Sequence, residues 1–199
     1  MAAAAVPTTA ALQRGVISSY TEYAENPDPA CAAGFLTWGY DTLPAHAVEG
    51  VDASVASGGG CPLAHCAVAK GSSVIDLGCG PGIDVVVAAR LVGAAGRVAG
   101  VDLTPAMLAR AKTAAGIAEV SERVTFHHAR IDDPSAVPPI QPADLVMSNG
   151  VFNLCTDKPA AFATAFALTK PGGTFVLADV CKEPPQSKSM PSSAADPTC

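Results

Sequence analysis

From about residue 73 onward, two textures alternate along the chain. Apolar runs at 74–77, 97–101, 124–127, 143–148 and 174–180 have the length and β-branched content of buried strands. Segments with helical spacing at 83–92, 105–115 and 159–169 lie between them. Thr104 stands where an N-cap is wanted, and Pro105 follows in the first turn. Lys170-Pro171-Gly172-Gly173 is a stop signal for the last helix. Strands and helices in this order imply right-handed crossovers. The expected class is α/β, a parallel sheet with helices on both faces.

The two flanks read differently. Residues 1–70 carry no sustained period and are expected to form an irregular cap. Within them, 16–23 can open a helix, which Asn26-Pro27-Asp28-Pro29 would break. Ser57-Gly58-Gly59-Gly60 reads as a flexible joint. Residues 183–199 mix Pro184, Pro185, Pro191 and Pro197 with serines and show neither period, so a disordered tail is expected. The expected division is a cap over 1–70, a main domain over 71–182 and a tail over 183–199.

Composition narrows the function classes. Hydrophobic residues make up 49% of the chain and charged residues 15%, enough for a buried core. The net charge of −6 and the lack of a basic cluster argue against a nucleic-acid partner. No apolar run of about 18 residues is present, so no membrane span is expected. The start of the chain lacks the pattern of a secretory signal, and the seven cysteines are odd in number. A cytoplasmic protein with free thiols is the expectation.

The most informative stretch is Val74-Ile75-Asp76-Leu77-Gly78-Cys79-Gly80-Pro81-Gly82-Ile83-Asp84. A strand feeds a glycine turn that opens a helix, whose free N–H groups and small residues suit a closely held ligand. The spacing is G-x-G-x-G; a dinucleotide fingerprint would need glycine where Ile83 stands. Asp76 would repel a pyrophosphate but suits an ammonium group. Asp102 ends the second strand, where a carboxylate can accept ribose hydroxyls. A ligand with an ammonium, a ribose and no phosphate is S-adenosylmethionine (SAM).

With these motifs the chain resembles the class I SAM-dependent methyltransferases, which have a Rossmann-like fold. Asp76 to Gly82 resembles their first motif, Val101-Asp102-Leu103-Thr104 their second, and the 170–173 turn the approach to their fifth strand. A narrower resemblance, to the arsenite methyltransferase branch, rests on Gly82-Ile83-Asp84, on 102–107, on Ser148-Asn149-Gly150-Val151-Phe152-Asn153-Leu154 and on 58–64. It implies that Asp76, Gly78, Gly80 and Gly82 hold the methionine part, and Asp102 and Leu103 the ribose and adenine edge. Ile131 and Asp132 would flank adenine, and Asn149 would sit beside the methyl-donor end.

The branch holds trivalent arsenic with cysteine thiolates, a soft ligand for a soft metalloid. A thiol common to the branch is replaced here by Gly150, and the nearby candidates are Cys61 and Cys155. The last strands of the fold have no visible counterpart after residue 180. The fifth strand is therefore expected to offer an exposed edge, and a homodimer could form across it. The implied activity is methyl transfer from SAM to a small-molecule acceptor. Two other readings are a truncated, non-catalytic SAM-binding homologue and a nucleotide-dependent oxidoreductase. Asp76 and Ile83 count against the second.

Overall fold

The structure is a computed structural model that describes residues 8–181. The expected tail at 183–199 lies outside the described residues. Five parallel strands form one sheet in the order β3-β2-β1-β4-β5. They are β1 (Ser73–Leu77), β2 (Arg97–Asp102), β3 (Val124–His128), β4 (Ala143–Asn149) and β5 (Thr169–Ala178). The strand order reverses at β1, whose neighbours are β2 and β4. A crevice opens at such a switch point, beyond the carboxyl ends of the strands.

Alternation along β1 sends Val74 to one face and Ile75 and Leu77 to the other, and each joins a separate apolar cluster. The first cluster lies under α4 (Ile83–Val92) and α5 (Pro105–Ile117), and the second under α6 (Lys158–Leu168). Small residues bring the helices close: Ala88, Ala89, Ala111 and Ala161 are fully buried. Eight residues of α4 are buried, so its apolar composition all round fits a helix covered on both sides.

The N-terminal region is more regular than its sequence suggests. It forms α1 (Thr9–Glu25), α2 (Pro29–Phe35) and α3 (Ala45–Val48), joined by short 3-10 turns. Thr8 caps α1 through its hydroxyl, and Asp28 caps α2. The weak period has a physical cause: Ala24 is the only residue of α1 that is buried. The helix lies over the main domain and leaves most of its side chains in water.

β5 also departs from expectation. It begins at Thr169, which pairs with Ala143, and an irregularity precedes the pairing of Leu145 with Thr174. The Lys170–Gly173 stop is therefore a bulge inside the strand, tolerated because β5 is an edge and Pro171 needs no ladder partner. Lys170 ties the bulge to Asp144 at 2.8 Å. Among the described residues β5 has one neighbour, β4. Phe166 and Val180, beside this edge in the chain, are 84% and 71% exposed.

Candidate functional site

A cleft lies at the carboxyl ends of β1, β2 and β4. The glycine turn forms its floor. Gly78 has φ +82°, and a Cβ there would run into the side chain of Val151, so only glycine fits. The Gly80 N–H donates to Asp102 Oδ2 at 2.8 Å, and the Thr104 N–H donates to Oδ1 at 2.7 Å. Both oxygens of Asp102 are oriented and keep lone pairs for further donors. Burial raises this carboxyl above the usual range, partly offset by those two hydrogen bonds.

Asp76 also lines the cleft and is 2% exposed. It is raised well above an ordinary carboxyl by burial, then by the charges of Asp84 and Asp102, and no described residue donates a hydrogen bond to it. A buried acid without a donor is costly, and the turn beside it supplies no cation. Its carboxyl oxygens are therefore free to accept from a donor that enters the cleft.

Asp84 is different. Tyr40 donates its hydroxyl to Oδ1 at 2.6 Å, and Asn149 Nδ2 donates to Oδ2 at 3.1 Å. Burial raises Asp84 against these bonds. The phenol of Tyr40 is driven up by burial and by the Asp84 charge, so it remains a donor. Asn149 Nδ2 also donates to Gly60 O at 2.7 Å, and Oδ1 accepts from the Gly59 N–H at 2.8 Å. Asn149 lines the cleft, and its amide is engaged in fastening 58–60 over the end of β4. A Cβ at Gly58 would collide with that amide. The expected flexible joint is a fitted roof.

The other predicted residues fall in two groups. Gly78, Gly80, Leu103, Ile131 and Asp132 all line the cleft with Asp76, Asp102 and Asn149. Gly82 lines a neighbouring groove, with its Cβ position packed against Ala111. Asp132 is held by Thr156, whose N–H and hydroxyl donate to Oδ2 at 3.0 and 2.9 Å, and by Arg130 at 3.1 Å. Partial burial raises its carboxyl, but Thr156 and the Arg130 charge outweigh that and leave it below the ordinary range.

The two thiols are not brought together. Cys155 lines the cleft, while Cys61 is 1% exposed in the packing under the roof and is absent from the cleft wall. Cys61, expected as a candidate acceptor-side thiol, instead packs in the core at the start of a 3-10 turn, away from the crevice. Burial pushes Cys155 up to about 11 and Cys61 up to about 12. Neither is a thiolate at neutral pH. Gly150 has φ +72°, and a Cβ there would lie 3.0 Å from the Cα of Gly58, so a cysteine there would be strained. Among the described residues no cluster of metal-ligating side chains forms.

The sequence pattern did not show the Tyr40–Asp84 pair, nor that Gln13 and Val16 of α1 face the cleft. The one available signal for the pair was an acid in the first turn of α4, behind the glycine loop.

With this geometry in place, comparison decides the family. The profile of a family described as "Methyltransferase domain" matches residues 69–197. The chain belongs to that methyltransferase-domain family. Its relatives are consistent with the arsenite methyltransferase-like branch. The arsenite methyltransferase of Halobacterium salinarum is 34% identical over 160 residues, which is 79% of this chain and 39% of that protein. That of Aquipseudomonas alcaligenes is 40% identical over 127 residues, covering 61% and 36%. The crystal structure of an arsenic(III) S-adenosylmethionine methyltransferase from Chlamydomonas reinhardtii superposes with a TM-score of 0.57 at 33% identity, over 77% of this chain and 50% of that one. The chain thus spans under two fifths of the length of these curated relatives. Its parallel sheet is the Rossmann-like arrangement expected from the sequence.

Proposed function

We propose that the cleft binds S-adenosylmethionine and directs its methyl group to a small-molecule acceptor. The observation that carries this is Asp76: a buried carboxyl on the cleft wall to which no described residue donates a hydrogen bond. The amino group of SAM supplies the missing cationic donor. Asp102, already oriented by Gly80 and Thr104, would accept the ribose hydroxyls. Leu103 and Ile131 would sandwich adenine, with Asp132 and its Thr156 bonds setting the far edge. When bound, SAM supplies a methyl group on a sulfonium, which an acceptor lone pair can displace.

The chain's part is alignment and exclusion of water. The roof at 58–60, held by Asn149, covers the end of β4 beside the cleft. Among the described residues no histidine lines the cleft, which suits an acceptor that already carries a free lone pair. An arsenite-like acceptor would meet a single cleft-facing thiol able to reach it, Cys155, so arsenite methylation by this chain is expected to be weak. Cys79 also lines the cleft, but its sulfur packs at the Gly100 position and burial raises its thiol well above the ordinary value.

Neither alternative is favoured. The family match runs through the glycine turn that an oxidoreductase would use differently, and the relatives are named as enzymes. We further infer a cytoplasmic setting, in keeping with five free cysteines among the described residues. A second copy would pair across the exposed β5 edge, and nucleic acid is not a partner of so acidic a chain. No helix among the described residues is long and apolar enough to cross a membrane.

The test is twofold. Calorimetry with S-adenosylhomocysteine (SAH) should show binding and NAD none. Incubation with methyl-labelled SAM and a panel of arsenite, thiols and amines should show label transfer to at least one. Binding of NAD in place of SAH would overturn the proposal.

A further inference from the structure

We propose that the first turns of α1 form a flap over one end of the cleft, hinged at Gly15 and latched by Gln13 on Arg130. The flap itself is read from packing; its role as a gate rests on the proposed SAM site.

The two halves of α1 are held unequally. In the last turn, Arg110 on α5 donates to the Ala24 carbonyl at 2.5 Å, Tyr23 donates to the Ala56 carbonyl at 3.0 Å, and Ala24 is buried. Among the described residues the first turn has no such anchors. It spans a polar groove that Thr9 shares with Arg130, Asp132 and Thr156, so little apolar surface holds it down. Its strongest tie is Gln13. With the amide oxygen turned toward the guanidinium, it accepts from both terminal nitrogens of Arg130, at 3.0 and 2.5 Å.

Gly15 lies between the latch and the anchors. Glycine inside a helix is normally excused by close packing, but a Cβ here would meet nothing within 4 Å. Its effect is therefore on the backbone, which it loosens where a loose joint separates the fixed half from the latched one. Gln13 and Arg130 both line the cleft beside Ile131 and Asp132. Opening the latch uncovers the end assigned above to adenine, while Tyr20, on the anchored half, stays as a wall.

Two measurements on the full chain test this. Hydrogen exchange on ligand-free protein reads the flap alone. Amides of 12–16 should exchange at least about tenfold faster than those of 19–24, and Gly15→Ala should slow them about three- to fivefold. Equal protection along α1 would overturn the flap. Stopped-flow kinetics with SAH read the gate. Gln13→Ala should raise the dissociation rate about five- to tenfold. Gly15→Ala should slow association and dissociation together and leave Kd within about twofold. Unchanged rates in both variants, with SAH bound normally, would overturn the gate and leave the cofactor proposal standing. A wild-type chain that binds no SAH would instead overturn the cofactor proposal and the gate with it, while the exchange data still decide the flap.

Discussion

The two ends of the cleft are built on different principles. At the glycine-turn end, one continuous stretch from β1 into α4, together with the end of β2, supplies Asp76, Gly78, Gly80 and Asp102. At the roof end, the walls come from far apart in sequence. Gly58 and Gly59 of the cap meet Asn149 at the end of β4, and Tyr40 meets Asp84. The first end leaves a buried acid without a donor; the second satisfies its polar groups internally. A site with an unmet demand selects its ligand by charge. A site that is already satisfied selects by shape.

The largest expected effect separates these two directly. Asp76→Asn should weaken SAH binding by about 2–4 kcal/mol, the scale of a charge-assisted bond in a buried site. It should also stabilise the ligand-free chain by about 1–3 kcal/mol, because an unpaired buried acid is removed. The sign with pH follows from the raised carboxyl. Asp76 adds stability below its unfolded range and loses it as pH rises through its raised folded value. Cation binding therefore releases a proton, and SAH affinity should rise with pH across that window. Calorimetry in two buffers of different ionisation enthalpy and a melting series check both parts.

A smaller effect is expected at the roof. Asn149→Ala leaves Asp84 with one donor fewer and the 58–60 backbone without its partners. Stability should fall by about 1–3 kcal/mol in a denaturant titration, while SAH affinity should change less than for Asp76→Asn. An affinity loss larger than the stability loss would mean that Asn149 grips the ligand directly.

The smallest effect concerns the thiols. Cys61→Ser buries a hydroxyl in an apolar setting and should lower Tm without altering arsenite binding. Cys155→Ser should leave Tm nearly unchanged, within about 0.5 kcal/mol, and should remove what weak arsenite binding the chain has. Fluorescence titration with arsenite, read against melting curves, distinguishes the pair. The reverse pattern would put Cys61 in the cleft.

The same contrast explains what the sequence made legible. The strands are buried apolar runs, and the glycine turn with its acids is local in sequence, so residues such as Asp76 and Asp102 could be placed from spacing alone. The boundaries of β5 were missed because a bulge at 170–173 looks like a stop when the pairing with Ala143 is unknown. α1 was underestimated because a helix that buries only Ala24 leaves almost no period. Cys61 was misassigned because adjacency to a glycine run says nothing about which way the chain packs. Asn149 was placed on the right wall, but its role depends on bonds to residues about ninety positions away in the chain.

The central claim is that Asp102, oriented by Gly80 and Thr104, holds the ribose of a SAM-type ligand in this cleft. Calorimetric titration of SAH into wild-type protein and Asp102→Ala tests it most directly. Wild type should bind, and the variant should lose about 1.5–3 kcal/mol of that affinity. Equal affinity in the two proteins, with both folded, would contradict it.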